Sequence, residues 1–296
     1  MVRSVMLHHA GPAIHRSGPL SSNVRPLIRP SMHPDISEFS YGYALTESLI
    51  RASPFPIKAA PIFPSLIDEG RVGGYDVHLP FEGFPLFLQF KLSHHMVRGT
   101  AGEAKKGLLT PPFYRMHLRP TKHSQQHPLL LATEATSVAV YYVAPCFHEP
   151  DELNAAYTAQ QVVQRSVFVK PSTIGPLPDH DDHHIAFNQG TGFYLCSNDP
   201  NLILEKGQER RAFLEDLEFG FDRREKILLT EQSAQSWANR LREVIKGHRP
   251  RWLKDKDLDA IKADRSSLSQ FAYMANTFLG CTVIIVAPRQ QPNAEA

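Results

Sequence analysis

Apolar and polar positions alternate along two short stretches near the first third of the chain. Leu86, Leu88, Phe90 and Leu92 fall on one side, and Phe87, Gln89 and Lys91 on the other. Period-two alternation is the mark of a half-buried strand, so the apolar set is assigned to the core and the polar pair to the opposite face. Upstream, Tyr75, Val77 and Leu79 alternate with Asp76 and His78 in the same way. With Glu82 and Gly83 centring the connection, the two runs pair as a hairpin in which Asp76 faces Gln89 and Lys91 lies one pleat further along.

The remaining pattern alternates helices with strands. Residues 36–51 carry apolar positions at helical spacing behind an N-cap at Ser37, which predicts a helix that tolerates Gly42 and ends before Pro54. Residues 94–128 are polar and rich in Gly, Pro, Lys and His, which predicts loops and a short helix. Ser124–Thr133 reads as a helix, and the run Val138–Ala144 (VAVYYVA) as a strand buried on both faces at the centre of a sheet. A helix at Asp151–Gln164 and strands at Ser166–Lys170, His184–Asn188 and Gly192–Cys196 follow. Beyond them come partial helix in Glu205–Asp222, helices at Thr230–Gly247 and Ser267–Phe278, and a buried strand at Thr282–Ala287 that completes the sheet or makes a small second layer. This order predicts an α/β protein with a central mixed β-sheet flanked by helices. The chain divides into an irregular N-terminal arm (1–35), an α/β core (36–200), a mainly helical C-terminal extension (201–288) and a disordered tail (289–296).

Composition narrows the setting more than the activity. The formal net charge is +2, which neither predicts nor excludes a nucleic-acid partner, because a local basic groove can exist on a nearly neutral surface. No apolar run approaches the ~20 residues that span a bilayer, and no secretory h-region is present, so the chain reads as soluble, without a membrane partner. Cys146, Cys196 and Cys281 are widely spaced with no CxxC, which fits buried filler in a reducing cytoplasm. The basic segment Arg98–Lys122, with Phe113 and Tyr114 available for stacking, is the natural place for phosphate contacts.

Asp76, twelve intervening residues and then Gln89-Phe90-Lys91 resemble the PD-(D/E)XK nuclease superfamily in the variant where glutamine replaces the second acidic residue. GYDVHL followed by LFLQFKLS is similar to the Mrr-like restriction-endonuclease branch, over about residues 36–145. The resemblance implies a restriction-endonuclease-like fold and an Mg²⁺-dependent endonuclease, a phosphodiester hydrolase acting on DNA in prokaryotic restriction or anti-phage defence, with Mn²⁺ as a substitute ion. It implies that Asp76, Gln89 and the Phe90 backbone carbonyl hold the metal, that Lys91 stabilises charge on the transferring phosphate, and that a glutamate of the preceding helix joins them. Glu38 and Glu47 are the candidates; nine residues apart they face opposite sides of a straight helix, and Glu38, on the face of Gly42 and Leu45, is preferred. The alternative is a catalytically inactive nuclease-like module that binds nucleic acid or a partner protein of a defence complex. Homo-oligomerisation is compatible with either.

Other polar clusters have simpler readings. Asp179-His180-Asp181-Asp182-His183-His184 contains competent transition-metal ligands, but six adjacent residues do not converge without a turn, so a surface loop is expected. His78, His94 and His95 either approach substrate phosphate or are exposed, and His127 either reaches the site or lies on a helix surface. Residues 249–265, of mixed charge, read as a solvated face.

Overall fold

The computed structural model describes residues 33–52, 82–136, 138–197, 200–205, 213–215, 227–228, 230–248, 254 and 266–286. Asp76 and His78, the 249–265 run apart from Lys254, the tail and most of the N-terminal arm lie outside the described residues. Residues 31–296 form one compact unit.

Among the described residues the frame is two five-stranded sheets flanked by helices rather than a single sheet. In the first, β1 (Glu82–Phe90) lies between β4 (Ala139–Pro145) and β10 (Thr282–Val286), β5 (Ser166–Val169) extends the far side of β4, and β9 (Ile227–Leu228) meets the start of β1. β1 runs parallel to β4, with Phe90 opposite Val143, and antiparallel to β10, with Phe84 opposite Val286 and Leu88 opposite Thr282. The C-terminal strand thus completes this sheet. The apolar run read as a central strand is β4, buried at every position because both faces of its sheet are covered. Leu86, Leu88 and Phe90 pack on one face with Tyr41 and Leu45 of α1 (Glu38–Ala52), and Phe87 packs on the other with Val140 and Tyr142.

The second sheet is wholly antiparallel, in the order β2 (Ser93–Met96), β3 (Phe113–Leu118), β6 (His183–Phe187), β7 (Phe193–Cys196) and β8 (Asn201–Leu204). Two of these strands occupy a segment expected to be loop. The reason lies in β3: Tyr114, Met116 and Leu118 are apolar and buried, whereas Arg115 and His117 alternate with them and disguise the period. That polar face is partly covered, by α2 (Gly102–Lys105) and its flanking loops, with Arg115 half-buried and His117 exposed. The apolar face shares one continuous core with the first sheet and with α3 (Gln126–Glu134), α6 (Glu231–Gly247) and α7 (Ser267–Met274). Two smaller helices, α4 (Pro150–Thr158) and α5 (Pro171–Ile174), follow β4 and β5, and α4 is shorter than its expected span. No helix among the described residues is long and apolar enough to cross a membrane.

Two local devices fix the ends that matter for the site. Ser37 caps α1, its Oγ accepting from the Ser40 amide at 3.0 Å, so Glu38 stands in the first turn. α7 runs into a single π-helical turn, Ala275–Leu279, closed by Gly280 at φ +67°. Gly280 then turns the chain into β10, alongside β1.

Candidate functional site

Glu82 and Gly83 do not form a turn: they lie within β1, and both lateral neighbours of β1 over Leu86–Leu88 are other strands, β4 and β10. The antiparallel neighbour of β1 there is the C-terminal strand, and the run expected as its hairpin partner, with Asp76, lies outside the described residues. Gln89 and Lys91 share a face as expected, but that face points into the molecule, and they are only 5% and 7% exposed. The Lys91 amide still donates to Val143 O at 2.9 Å, so the lysine leaves the sheet at the C-terminal end of two parallel strands. In open α/β sheets this is the customary place for a ligand.

A polar relay organises the two side chains. Lys91 Nζ donates to Gln126 Oε1 at 3.0 Å; Gln126 Nε2 donates to Gln89 Oε1 at 2.8 Å and to Leu279 O at 2.9 Å; Gln89 Nε2 donates to Phe90 O at 2.9 Å. Both protons and the oxygen of the Gln126 amide are therefore used, as burial requires. Gln126 is the first residue of α3, and Leu279 ends the π turn, so the crossover helix and the C-terminal segment jointly position β1's polar pair. Gly280 makes the fit possible. A Cβ there would stand 2.8 Å from Gln126 Nε2 and 2.9 Å from Gln89 Oε1.

The electrostatics set Lys91 apart. Burial first, and the nearby Arg119 guanidinium after it, lower its pKa to about 8, with the Glu38 carboxylate opposing both. Its ammonium also lies 5.9 Å from the centre of the Tyr142 ring. Arg119, just past β3, is exposed, so a buried and an open cation flank one spot. Of the two upstream glutamates, Glu38 is the one whose charge reaches Lys91. Glu47, one helical face away, pairs with Arg51.

Other predicted contributors are placed elsewhere. His127 is neither exposed nor at the lysine: its Nδ1 meets the Tyr142 hydroxyl at 3.0 Å and its Nε2 donates to Gly175 O at 2.7 Å, and burial depresses its pKa. Phe113 and Tyr114 are buried and cannot stack on bases. Arg98, Lys105, Lys106 and Arg119 remain exposed, but Arg115 is bound to Glu103. His95 stacks on Tyr114 and leans on His148, and Cys146, Cys196 and Cys281 are buried thiols.

A second cluster was not legible as a unit. Glu103 on α2 accepts from Arg115 Nε at 2.8 Å and from His184 Nε2 at 2.6 Å, and Arg115 Nη2 closes the fork on its other oxygen. Burial alone would raise its carboxyl; the hydrogen bonds from His184 and Arg115 outweigh that and hold it far below the ordinary carboxylate value. Cys196 joins from β7, directly opposite His184. Thus His184 leaves the acidic loop that precedes it, whereas Asp179 stays local, bonding the Asp181 amide and His183. The contributing residues lie 81 and more positions apart or on strands whose register the chain does not announce, so only the fold joins them.

Comparison of this chain with protein-family models, with curated proteins and with solved structures returns no significant match to any of them.

Proposed function

We propose that the chain is a restriction-endonuclease-like, Mg²⁺-dependent nuclease that hydrolyses phosphodiester bonds of DNA, with Lys91, Gln89, Asp76 and Glu38 as its working residues. One observation carries the reading: Gln89 and Lys91 sit side by side at the C-terminal end of parallel strands, joined through Gln126 and flanked by Arg119 and Glu38. A phosphate is the ligand this charge pattern favours, because Lys91 and Arg119 together supply two cations where a third group of opposite sign already stands. Below about pH 8 Lys91 carries its proton and offers a fixed donor to negative charge developing on phosphate oxygen.

Magnesium takes hard oxygen ligands and keeps several waters. Gln89 Oε1 and Phe90 O are neutral oxygens of the right kind, and Glu38 would supply a carboxylate from α1. Asp76 is the further carboxylate that this set needs. When bound, the ion would acidify an attacking water. The chain's own part is to hold Lys91 and Gln89 in one orientation through Gln126, and to do so where bulk water has little access.

A second reading rests on the same relay. Gln89 Oε1 and Lys91 Nζ are both engaged by Gln126, which is the arrangement expected of a nuclease-like module that binds without cutting, either nucleic acid or a partner protein of a defence complex. The two readings separate on purified protein incubated with linear, supercoiled and single-stranded DNA and with RNA, in Mg²⁺ or Mn²⁺, beside Asp76→Ala and Lys91→Ala. Cleavage lost in both variants supports the nuclease. Binding without cleavage, weakening steeply with salt, supports the module, and cleavage that persists in both variants removes the site assignment.

A further inference from the structure

On the covered face of the second sheet, Glu103, His184 and Cys196 bring a carboxylate oxygen, an imidazole nitrogen and a thiol sulfur within 4.8 Å of one another. We propose that these three side chains form a binding site for a borderline divalent transition ion, of which Zn²⁺ is the type, separate from the lysine site and independent of the nuclease reading.

The backbone makes the convergence. His184 on β6 is directly opposite Cys196 on β7 and directly opposite His117 on β3, and opposed residues of antiparallel strands share a face with Cβ atoms about 5 Å apart. The row is therefore set by ladder register rather than by rotamer choice. Glu103 descends on it from α2, with 3% exposure, so its carboxylate has no alternative in solvent. Arg115 grips that carboxylate from the neighbouring strand position, the kind of outer hydrogen bond that orients a ligand.

The donor set selects the ion. A mixed sulfur, nitrogen and oxygen triad suits zinc or cobalt and not magnesium, which takes hard oxygens only. In the metal-free arrangement the His184 Nε2 proton lies between its nitrogen and Glu103 Oε1, at 2.6 Å. The ion would take the place of that proton, which would pass to Nδ1 so that His184 binds as the neutral Nδ1–H tautomer; the Cys196 thiol would give up its proton to solvent, and the carboxylate oxygen would turn from His184 to the metal. Three ligands would leave room for a fourth. The His117 ring centre lies 5.5 Å from that of His184, and the His94 ring centre lies 4.7 Å from that of His117. A half-exposed row of imidazoles leading from the surface gives the ion a route in.

The test uses the full chain, stripped with a chelator and dialysed against Co²⁺ or Zn²⁺. The expected result is one equivalent per chain, a thiolate-to-cobalt charge-transfer band in the near ultraviolet, and a higher melting temperature with Zn²⁺. Cys196→Ser, nearly isosteric, should keep the metal-free melting temperature, lose the band and weaken binding by about tenfold or more, and His184→Gln should weaken it similarly. Cys146→Ser, a buried thiol elsewhere, should keep the band. Wild-type protein that takes up neither ion while retaining its fold, or a cobalt–thiolate band that survives Cys196→Ser, overturns the proposal.

Discussion

Replacing Lys91 by methionine should make the protein's stability less dependent on alkaline pH, by an amount the structure sets. An unfolded lysine keeps its proton to about pH 10.5, whereas burial and Arg119 release it near pH 8 in the folded chain. Between those values the unfolded state binds more protons, so this group's contribution to stability rises with pH across that window. Below pH 8 it costs stability in full; above pH 10.5 the cost is gone. The gap, at about 1.4 kcal/mol per pH unit, comes to about 3 kcal/mol. Methionine fills a similar volume without a charge to desolvate, though it leaves Gln126 Oε1 without its donor, at a cost of about 1–3 kcal/mol that does not vary with pH. Urea titrations of wild type and Lys91→Met at several pH values between 7 and 11 isolate the lysine, because every other titrating group is common to both. The difference in unfolding free energy should move by about 3 kcal/mol in favour of wild type as pH rises. A difference that stays flat would refute the claim that Lys91 is buried and depressed, and with it the strained cation at the site.

The same geometry gives further outcomes. Gly280→Ala places a Cβ against both amides of the relay and forces φ +67° on a residue with a side chain, so thermal melts should show a loss of about 2–3 kcal/mol and cleavage should weaken with it. Gln126→Leu leaves a buried ammonium without its acceptor and should cost about 3 kcal/mol, read by the same melts, with most of the loss recovered in the double variant carrying Lys91→Met. Glu103 contributes stability that is present above the ordinary carboxylate value of 4.5 and fades as pH falls below it; Glu103→Gln should flatten the acid limb of the stability profile and cost about 3 kcal/mol at pH 7. In cleavage assays Glu38→Gln should slow the reaction while Glu47→Gln, whose side chain pairs with Arg51, should not.

Much of the fold was legible because its signals were local. The apolar run of β4, the Ser37 cap, the 3.6-residue period of α6 and the β-branched run of β10 each read correctly from adjacent residues. The second sheet was not, since the alternating polar residues of β3, Arg115 and His117, look like a loop until α2 is seen lying beside that face. Gln89 and Lys91 were correctly placed on one strand face, but the sign of that face was inverted. Alternation tells which residues share a side; it does not tell that α3 and the π turn cover the polar one. Gln126 was visible only as a residue near the start of a helix, and its role depends on Leu279, 153 positions away. Glu103, His184 and Cys196 were harder still, because cross-strand register brings two of them together and no spacing in the chain encodes it.

The central claim is that Lys91 works on a phosphodiester. Its most direct test is the single-turnover rate of supercoiled DNA nicking in Mg²⁺ at pH 7, for wild type beside Lys91→Met. The account predicts metal-dependent nicking by wild type and a rate lower by on the order of 10²-fold or more in the variant, with the variant still folded. Equal rates in the two proteins would contradict it.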